Sequence, residues 1–160
     1  MKDLNPDPRG NPTRAEDVVM PVVLYVEDNP DNRQSAEVNL GKKFKMLFAA
    51  NAREACNTLA LMGKKIAVIL MDIELQDSEL NGIELTKLIR GLAPREKIPD
   101  YARGLPVFKT PIIFLTAYGQ AYNQEQILQA GGNDFLEKPV DFVELMLAIT
   151  KYNLSMQKSG

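Results

Sequence analysis

Short apolar runs alternate with amphipathic segments along most of this chain. The runs that predict strands are residues 22–26, 45–49, 66–71, 111–115 and 134–136. The segments that predict helices are residues 31–40, 52–62, 83–89, 124–130 and 141–152, the last with an apolar residue at 142, 145, 146 and 149. Continuous apolar strands alternating with amphipathic helices indicate βαβ units and a parallel sheet covered on both faces. Five such units predict a doubly wound α/β domain.

The segments outside this alternation define the predicted organisation of the chain. Residues 1–20 contain three prolines and charges of both signs, which predicts a flexible N-terminal extension. The domain itself is predicted over residues 21–153, followed by a C-terminal tail over residues 154–160. Residues 91–110 carry three prolines and two glycines and are long for a helix-to-strand connection, so we expect a surface excursion with a helical turn.

Composition narrows the function classes. The 160 residues include 19 basic and 21 acidic residues, a net charge of −2 that gives no electrostatic case for binding nucleic acid or membranes. The absence of His excludes His-based catalysis and most transition-metal sites. A single Cys, with no secretory signal and no apolar run long enough to span a bilayer, leads us to expect a cytoplasmic protein.

Chemically active side chains follow four of the predicted strands. Glu27 and Asp28 follow the first, Asp72 the third, Thr116 the fourth and Lys138 the fifth. Because ligands of doubly wound sheets bind at the carboxyl ends of the strands, we expect the three carboxylates to meet there. Two carboxylates about 4 Å apart repel by roughly 4 kcal/mol at an effective dielectric of 20. Such a cluster must take up a proton or bind a cation, and oxygen ligands with room for water suit Mg²⁺.

The remaining groups meet the demands of phosphoryl transfer. The Lys138 ammonium can neutralise phosphoryl oxygens on the side away from the metal, and the Thr116 hydroxyl can donate a hydrogen bond to another oxygen. Asp72 is then the nucleophile, and an acyl phosphate is the product. Each residue alone is weak support, since acidic turns and Lys-Pro loops are common. The informative feature is the complete set, in this order, at successive strand ends.

Four segments of the chain resemble the signature segments of response-regulator receiver domains. They are VLYVEDN (23–29), ILMDI (69–73), PIIFLTA (111–117) and FLEKP (135–139). The resemblance extends over about residues 21–153. It implies a flavodoxin-like, CheY-like fold with a five-stranded parallel sheet in the order 2-1-3-4-5. It also implies a two-component or phosphorelay response regulator, a switch that assists only its own phosphorylation and dephosphorylation rather than an enzyme.

The resemblance assigns the metal site. Asp28 corresponds to a direct ligand and Glu27 to a ligand that acts through water. Asp72 corresponds to the phosphorylated residue, and the backbone carbonyl of Glu74 to a further ligand. The implied cofactor is Mg²⁺ or Mn²⁺.

The resemblance also assigns the switch. Thr116 and Lys138 correspond to the pair that senses the phosphoryl group, and Phe135 to the aromatic residue that moves into the space Thr116 vacates. The peptide bond before Pro139 is often cis in the family. The implied partners are a sensor histidine kinase or a histidine phosphotransfer protein, together with a downstream protein target, and neither nucleic acid nor membrane.

One loop departs from the family pattern. The Met-Pro that usually follows the acceptor is missing, and Gly82 stands about two positions late. Glu74 and Tyr118, two residues after Asp72 and Thr116, would flank the path of water to the acyl phosphate. A bulky pair there predicts slow self-dephosphorylation.

Two other classes remain open. A haloacid-dehalogenase-type phosphatase also uses an Asp nucleophile at a strand end. That class requires a second Asp two residues after the nucleophile, where this chain has Glu74. A phosphorylation-independent pseudo-receiver would keep the fold and bind a protein partner. The presence of every acidic and phosphate-contacting side chain favours the phosphorylated switch over both.

Overall fold

A parallel sheet of five strands forms the centre of the molecule. The computed structural model describes residues 19–117 and 124–159, with the backbone alone for 158 and 159. The strands are β1 (Val22–Val26), β2 (Lys45–Ala49), β3 (Ile66–Asp72), β4 (Ile112–Thr116) and β5 (Asp134–Glu137). Their order is β2-β1-β3-β4-β5, and every neighbouring pair is parallel. The predicted order and fold class are therefore confirmed.

Within the described residues, five α-helices connect and follow the strands. They are α1 (Pro30–Leu40), α2 (Ala52–Met62), α3 (Gly82–Ile89), α4 (Gln124–Ala130) and α5 (Phe142–Ser159). The first three begin at an Asn whose side chain accepts hydrogen bonds from backbone N–H groups of the first turn. At α3 this is a full capping box, because Glu84 also accepts from the N–H of Asn81. These caps start α1 and α2 within a few residues of the carboxyl ends of β1 and β2, and start α3 at the end of the loop that follows β3.

The helices cover both faces of the sheet and divide the core into two layers. One layer packs α2, α3 and α4 against side chains such as Leu24, Ile69 and Phe114. The other packs α1 and α5 against the opposite set, including Val23 and Leu70. Because β1, β3 and β4 are buried on both faces, they read as continuous apolar runs rather than alternating ones.

The 91–110 segment is an ordered strap rather than a loose loop. It contains two single-turn 3-10 helices, Arg95–Lys97 and Asp100–Ala102, and the second packs against α2. Ala102 is buried, and the Phe108 ring lies so close to Gly63 that a Cβ there would approach it to 2.4 Å. The strap therefore covers part of the α2–α3 face. The predicted helical turn is confirmed.

The predicted element boundaries hold except at the end of the chain. The last helix, predicted to end at about residue 152, continues to Ser159 and so takes up most of the segment assigned to a C-terminal tail. Residues 151–159 contain no Gly or Pro that would stop a helix, so the amphipathic pattern fades before the backbone hydrogen bonding does. Residues 1–18 lie outside the described part of the chain.

Candidate functional site

Three carboxylates meet at the carboxyl edge of the sheet. Glu27 and Asp28 follow β1, and Asp72 ends the neighbouring β3. One oxygen from each lies within 4.8 Å of the other two. Glu27 is fully buried, Asp72 is 6% exposed and Asp28 is half-buried. These three carboxylates therefore share one small space, as the sequence led us to expect.

Glu27 is held by three neighbours. The Asn32 side chain and the Lys138 ammonium both donate to Oε1, the latter at 3.2 Å. Arg33 donates from its guanidinium to the backbone carbonyl of Glu27 at 2.7 Å. With the carboxyl groups ionised, Oε2 of Glu27 is buried and has no hydrogen-bond donor among the described residues. A buried carboxylate oxygen without a donor is costly, so this atom favours an additional positive ligand or proton.

Lys138 lies between two of the carboxylates. Its ammonium is 3.2 Å from Glu27 and 3.3 Å from Asp72, and its side chain is 22% exposed. The Lys138 N–H donates to the carbonyl of Thr116 at 2.6 Å, which ties the end of β5 to the end of β4. The peptide bond between Lys138 and Pro139 is cis, as expected. Lys138 is therefore a fixed positive charge beside the proposed acceptor.

Burial changes the acidity of the two inner carboxyl groups. The pKa of Asp72 is raised to about 8, mainly because the group is buried. A hydrogen bond with Glu27 and the negative charge of Glu27 raise it further, and the Lys138 ammonium opposes the shift. Burial also acts to raise the pKa of Glu27, but hydrogen bonds with Asp72 and the Lys138 ammonium outweigh it and lower that pKa. Without a cation, the Asp72–Glu27 pair therefore favours sharing one proton near neutral pH, with Asp72 as its preferred site.

The loop between β3 and α3, residues 73–81, is called the acceptor loop below. Its Gln76 N–H donates to Oδ2 of Asp28 at 2.9 Å, so the loop contacts the carboxylate cluster directly. Asp77 has a φ of 54°, the left-handed conformation in which Asp and Asn are the most frequent non-glycine residues. At the loop's end, a Cβ on Gly82 would lie 2.2 Å from the carbonyl oxygen of Asp72. Gly82 lies about two positions later than in the family pattern, and its lack of a side chain allows α3 to start against the end of β3.

The remaining predicted residues are placed as follows. Thr116 ends β4 and is 7% exposed, one position beyond the Leu115 that pairs with Asp72. Phe135 lies on β5 opposite Phe114 and is partly buried against the α2–α4 layer. Glu74 lies exposed in the acceptor loop. Tyr118 lies outside the described residues, so its role stays a prediction.

The carboxylate cluster suits a hard divalent cation. All three side chains supply carboxylate oxygens, the ligands that Mg²⁺ prefers, and half-exposed Asp28 leaves a side open to water. The Oε2 atom of Glu27 without a donor points to the same need for positive charge. This set of three carboxylates therefore fits a divalent cation such as Mg²⁺.

Comparison with known families decides the class of protein. The sequence model of the response regulator receiver domain matches residues 23–150. The chain belongs to the response regulator receiver domain family. Its fold class and its place in two-component signalling follow from that membership, and members of this family are signalling switches rather than classical enzymes.

Curated relatives agree with this family. The chain is 31% identical over 134 residues to an uncharacterized 14.6 kDa protein in the sodA1 3' region of Leptolyngbya boryana, covering 83% of this chain and 90% of that protein. It is 34% identical over 123 residues to the response regulator protein PilR of Pseudomonas aeruginosa, covering 76% of this chain. It is also 34% identical over 153 residues to the response regulator mcs4 of Schizosaccharomyces pombe, covering 86% of this chain. The chain spans only 24% of PilR and 28% of mcs4.

Solved structures confirm the fold. A CheY-like receiver domain protein from Methanospirillum hungatei superposes with a TM-score of 0.69 at 23% identity, over 89% of this chain and all of that one. A receiver domain protein from Clostridium thermocellum gives 0.72 at 19% identity, over 88% of this chain and 100% of that one. In the described part of the receiver domain, no helix is long and apolar enough to cross a membrane.

Sequence reasoning missed several residues around the site, among them Asn32 and Ser78. Asn32, in the first turn of α1, donates to Glu27. Ser78, in the acceptor loop, accepts from the N–H of Ala52 and donates to the carbonyl of Leu80. Asn32 follows Glu27 by only five residues and lies in the first turn of the next helix, and this closeness in sequence could have indicated it. Ser78 carried no signal, because its partner lies 26 residues earlier in the chain.

Proposed function

We propose that this receiver domain is a Mg²⁺-dependent phosphoryl acceptor whose phosphorylated residue is Asp72. The observation that carries the proposal is the position of Lys138, whose ammonium lies 3.3 Å from Asp72 at the edge where the three carboxylates meet. A nucleophilic carboxylate, a fixed cation and a cluster of oxygen ligands are the parts that phosphoryl transfer to an aspartate requires.

The reaction forms one bond and breaks one. An oxygen of the Asp72 carboxylate attacks phosphorus while the bond between phosphorus and the donor breaks, and the leaving group keeps the electron pair. With phosphohistidine as donor, that pair stays on the imidazole nitrogen. A bound Mg²⁺ would be held by Asp28, Asp72 and the carbonyl of Glu74, with Glu27 acting through water, and would supply positive charge to the phosphoryl oxygens.

The chain's own residues do the rest. The Lys138 ammonium, already between Glu27 and Asp72, neutralises charge on the transferred group. The Thr116 hydroxyl, at the adjacent strand end, donates to a phosphoryl oxygen. Moving Thr116 toward Asp72 frees space for Phe135, and this shifts the population between two packings of the face formed by α4, β5 and α5.

The partners follow from the donor chemistry. A sensor histidine kinase or a histidine phosphotransfer protein supplies the phosphoryl group, and a protein target reads the altered face. One relative, the sensor histidine kinase GacS of Pseudomonas protegens, is 28% identical to the chain over 156 residues. The match covers 15% of GacS. The chain's pairing with such a kinase is part of the proposal.

A phosphorylation-independent pseudo-receiver is the second candidate. The observation that favours it is the acceptor loop, which departs from the family pattern and contacts Asp28 through the Gln76 N–H. In that case the site would bind neither Mg²⁺ nor phosphate, and the fold would act as a binding module.

Intact-mass spectrometry separates the two candidates. The protein is incubated with acetyl phosphate and Mg²⁺, in parallel with a chelator and with the Asp72→Ala variant. The phosphoryl-acceptor proposal predicts the addition of one phosphoryl mass that requires both Mg²⁺ and Asp72. Folded protein that gains no mass from acetyl phosphate or from a phosphorylated histidine phosphotransfer protein would support the pseudo-receiver.

A further inference from the structure

The acceptor loop is joined to the start of α2 by one hydroxyl group. We propose that Ser78 is a positioning residue for the metal site: its hydroxyl fixes the acceptor loop so that the Gln76 N–H holds Asp28 in place. This inference rests on the proposed function, because it assigns Ser78 a role in binding the divalent cation.

The Ser78 hydroxyl makes two hydrogen bonds. It accepts from the backbone N–H of Ala52 at 3.0 Å and donates to the backbone carbonyl of Leu80 at 2.7 Å. Ala52 is the first residue of α2 and is fully buried, so its N–H depends on a protein acceptor. The N-cap, Asn51, does not supply that acceptor, because its side chain accepts from Glu54. Ser78 therefore satisfies a helix N-terminus and closes its own loop.

The loop is fixed on both sides of Gln76. Leu75 and Leu80 are each only 9% exposed and pack into the core layer below α2 and α3. Gln76 lies between the Leu75 contact and the Ser78 hydroxyl, and its N–H reaches Asp28 at 2.9 Å. A hydrogen bond to a carboxylate fixes the orientation of its oxygens. The position of Asp28 thus depends on the loop, and the position of the loop depends on Ser78.

A nearby ion pair offers a competing anchor that the structure argues against. Arg53 lies 4.0 Å from Glu79, and the two side chains are 63% and 62% exposed. The Arg53 guanidinium also lies over the Tyr101 ring of the strap, 4.7 Å from the ring centroid. Exposed ion pairs at this distance contribute little, whereas a buried N–H that loses its acceptor is costly. The hydroxyl, and not the ion pair, is therefore the anchor.

The effect of losing the hydroxyl should appear in cation binding. Loss of groups that orient metal ligands typically weakens metal affinity about 10–100-fold. Ser78 acts through one more layer, the Gln76 N–H, so Ser78→Ala should raise the Mg²⁺ dissociation constant roughly three- to tenfold. Ser78→Thr keeps the hydroxyl and should restore affinity.

The experiment is calorimetric titration of Mg²⁺ into the full chain, without phosphoryl donor, for wild type, Ser78→Ala and Ser78→Thr. Two matched controls are Arg53→Ala, which removes the exposed ion pair, and Thr58→Ala, which removes a hydroxyl that donates within α2. Hydrogen exchange of the Gln76 amide is measured by NMR in the same metal-free proteins. Each variant is titrated well below its melting temperature.

The expected result is weaker Mg²⁺ binding and faster Gln76 exchange in Ser78→Ala alone, both reversed in Ser78→Thr. Unchanged Mg²⁺ affinity in Ser78→Ala, even with a lower melting temperature, would overturn the inference and leave Ser78 a purely structural residue. An equal loss in Arg53→Ala would overturn it as well. If the wild type fails to bind Mg²⁺, the proposed function is refuted. In that case the exchange measurement still tests the role of Ser78, because an unchanged exchange rate of the Gln76 amide in Ser78→Ala would refute the loop anchor.

Discussion

Replacing Asp72 with Asn removes the carboxyl group that burial makes hardest to ionise. In the metal-free protein the pKa of Asp72 is raised to about 8 from an ordinary value of 3.8. The folded state therefore keeps the proton through a range in which the unfolded state has released it. The stability that this proton supplies is fully present below about pH 4 and is lost as the pH rises toward 8. An Asn side chain can donate a similar hydrogen bond to Glu27 at every pH.

The size of the effect follows from linkage. A difference of one bound proton changes the free energy of unfolding by about 1.4 kcal/mol per pH unit. Between about pH 5 and pH 7 the wild type should therefore lose about 3 kcal/mol that Asp72→Asn keeps. The lowered pKa of Glu27 affects the free energy of unfolding only below this pH window, because the ordinary pKa of this carboxyl group in the unfolded chain is already 4.5. The stability advantage of Asp72→Asn over wild type should thus grow with pH.

Urea denaturation followed by circular dichroism measures this difference, with a chelator present to exclude cations. Asp100→Asn, which removes an exposed carboxylate from the strap, serves as the control. Adding Mg²⁺ should stabilise the wild type more than the variant, because the cation takes the place of the proton. A stability difference between Asp72→Asn and wild type that stays constant from pH 5 to pH 7 would refute the shared-proton account of the carboxylate pair.

Three further predictions concern other positions of the chain. Lys138→Ala should slow phosphorylation of Asp72 by acetyl phosphate about 100-fold, because it removes the fixed charge beside the acceptor; a rate within twofold of wild type, timed by intact mass, would contradict this role. Gly82→Ala should lower the free energy of unfolding by about 2 kcal/mol or more, because its Cβ would lie 2.2 Å from the Asp72 carbonyl. Gly104→Ala, where a Cβ meets nothing within 4 Å and only the φ of 82° is unfavourable, should cost about 1 kcal/mol, and equal losses at both positions would be inconsistent with the close approach. Tyr118→Ala should accelerate loss of phosphate from phosphorylated protein, and an unchanged half-life would remove Tyr118 from the path of water.

The sheet was predictable because each strand carries its own signal. β1, β3 and β4 are apolar up to their carboxyl ends since helices cover both of their faces, and the predicted site residues Glu27, Asp72 and Thr116 lie at those ends. Strand order brings Asp72 beside Glu27 and Asp28, so the cluster could be predicted from strand ends and the family resemblance together. In the structure one oxygen of each carboxylate lies within 4.8 Å of the other two, and the Lys138 ammonium lies 3.2 Å from Glu27 and 3.3 Å from Asp72.

The parts that escaped prediction depend on contacts between distant segments. The strap packs Ile98, Tyr101 and Leu105 onto the core without a helical or strand period, so its apolar residues read as a loop. Ser78 reaches Ala52 across 26 residues, and no local pattern reveals such a hydrogen bond. The end of α5 was missed because helix termini without a Gly or Pro stop are weakly encoded.

Borohydride trapping tests the central claim most directly. Protein incubated with acetyl phosphate and Mg²⁺ is treated with borohydride, which reduces an acyl phosphate to an alcohol and so converts a phosphorylated aspartate to homoserine. Peptide sequencing by mass spectrometry then locates the modified residue. The account predicts homoserine at position 72 alone, and none when a chelator replaces Mg²⁺. Reduction of a different Asp or Glu side chain to its alcohol, or homoserine at position 72 without Mg²⁺, would contradict it.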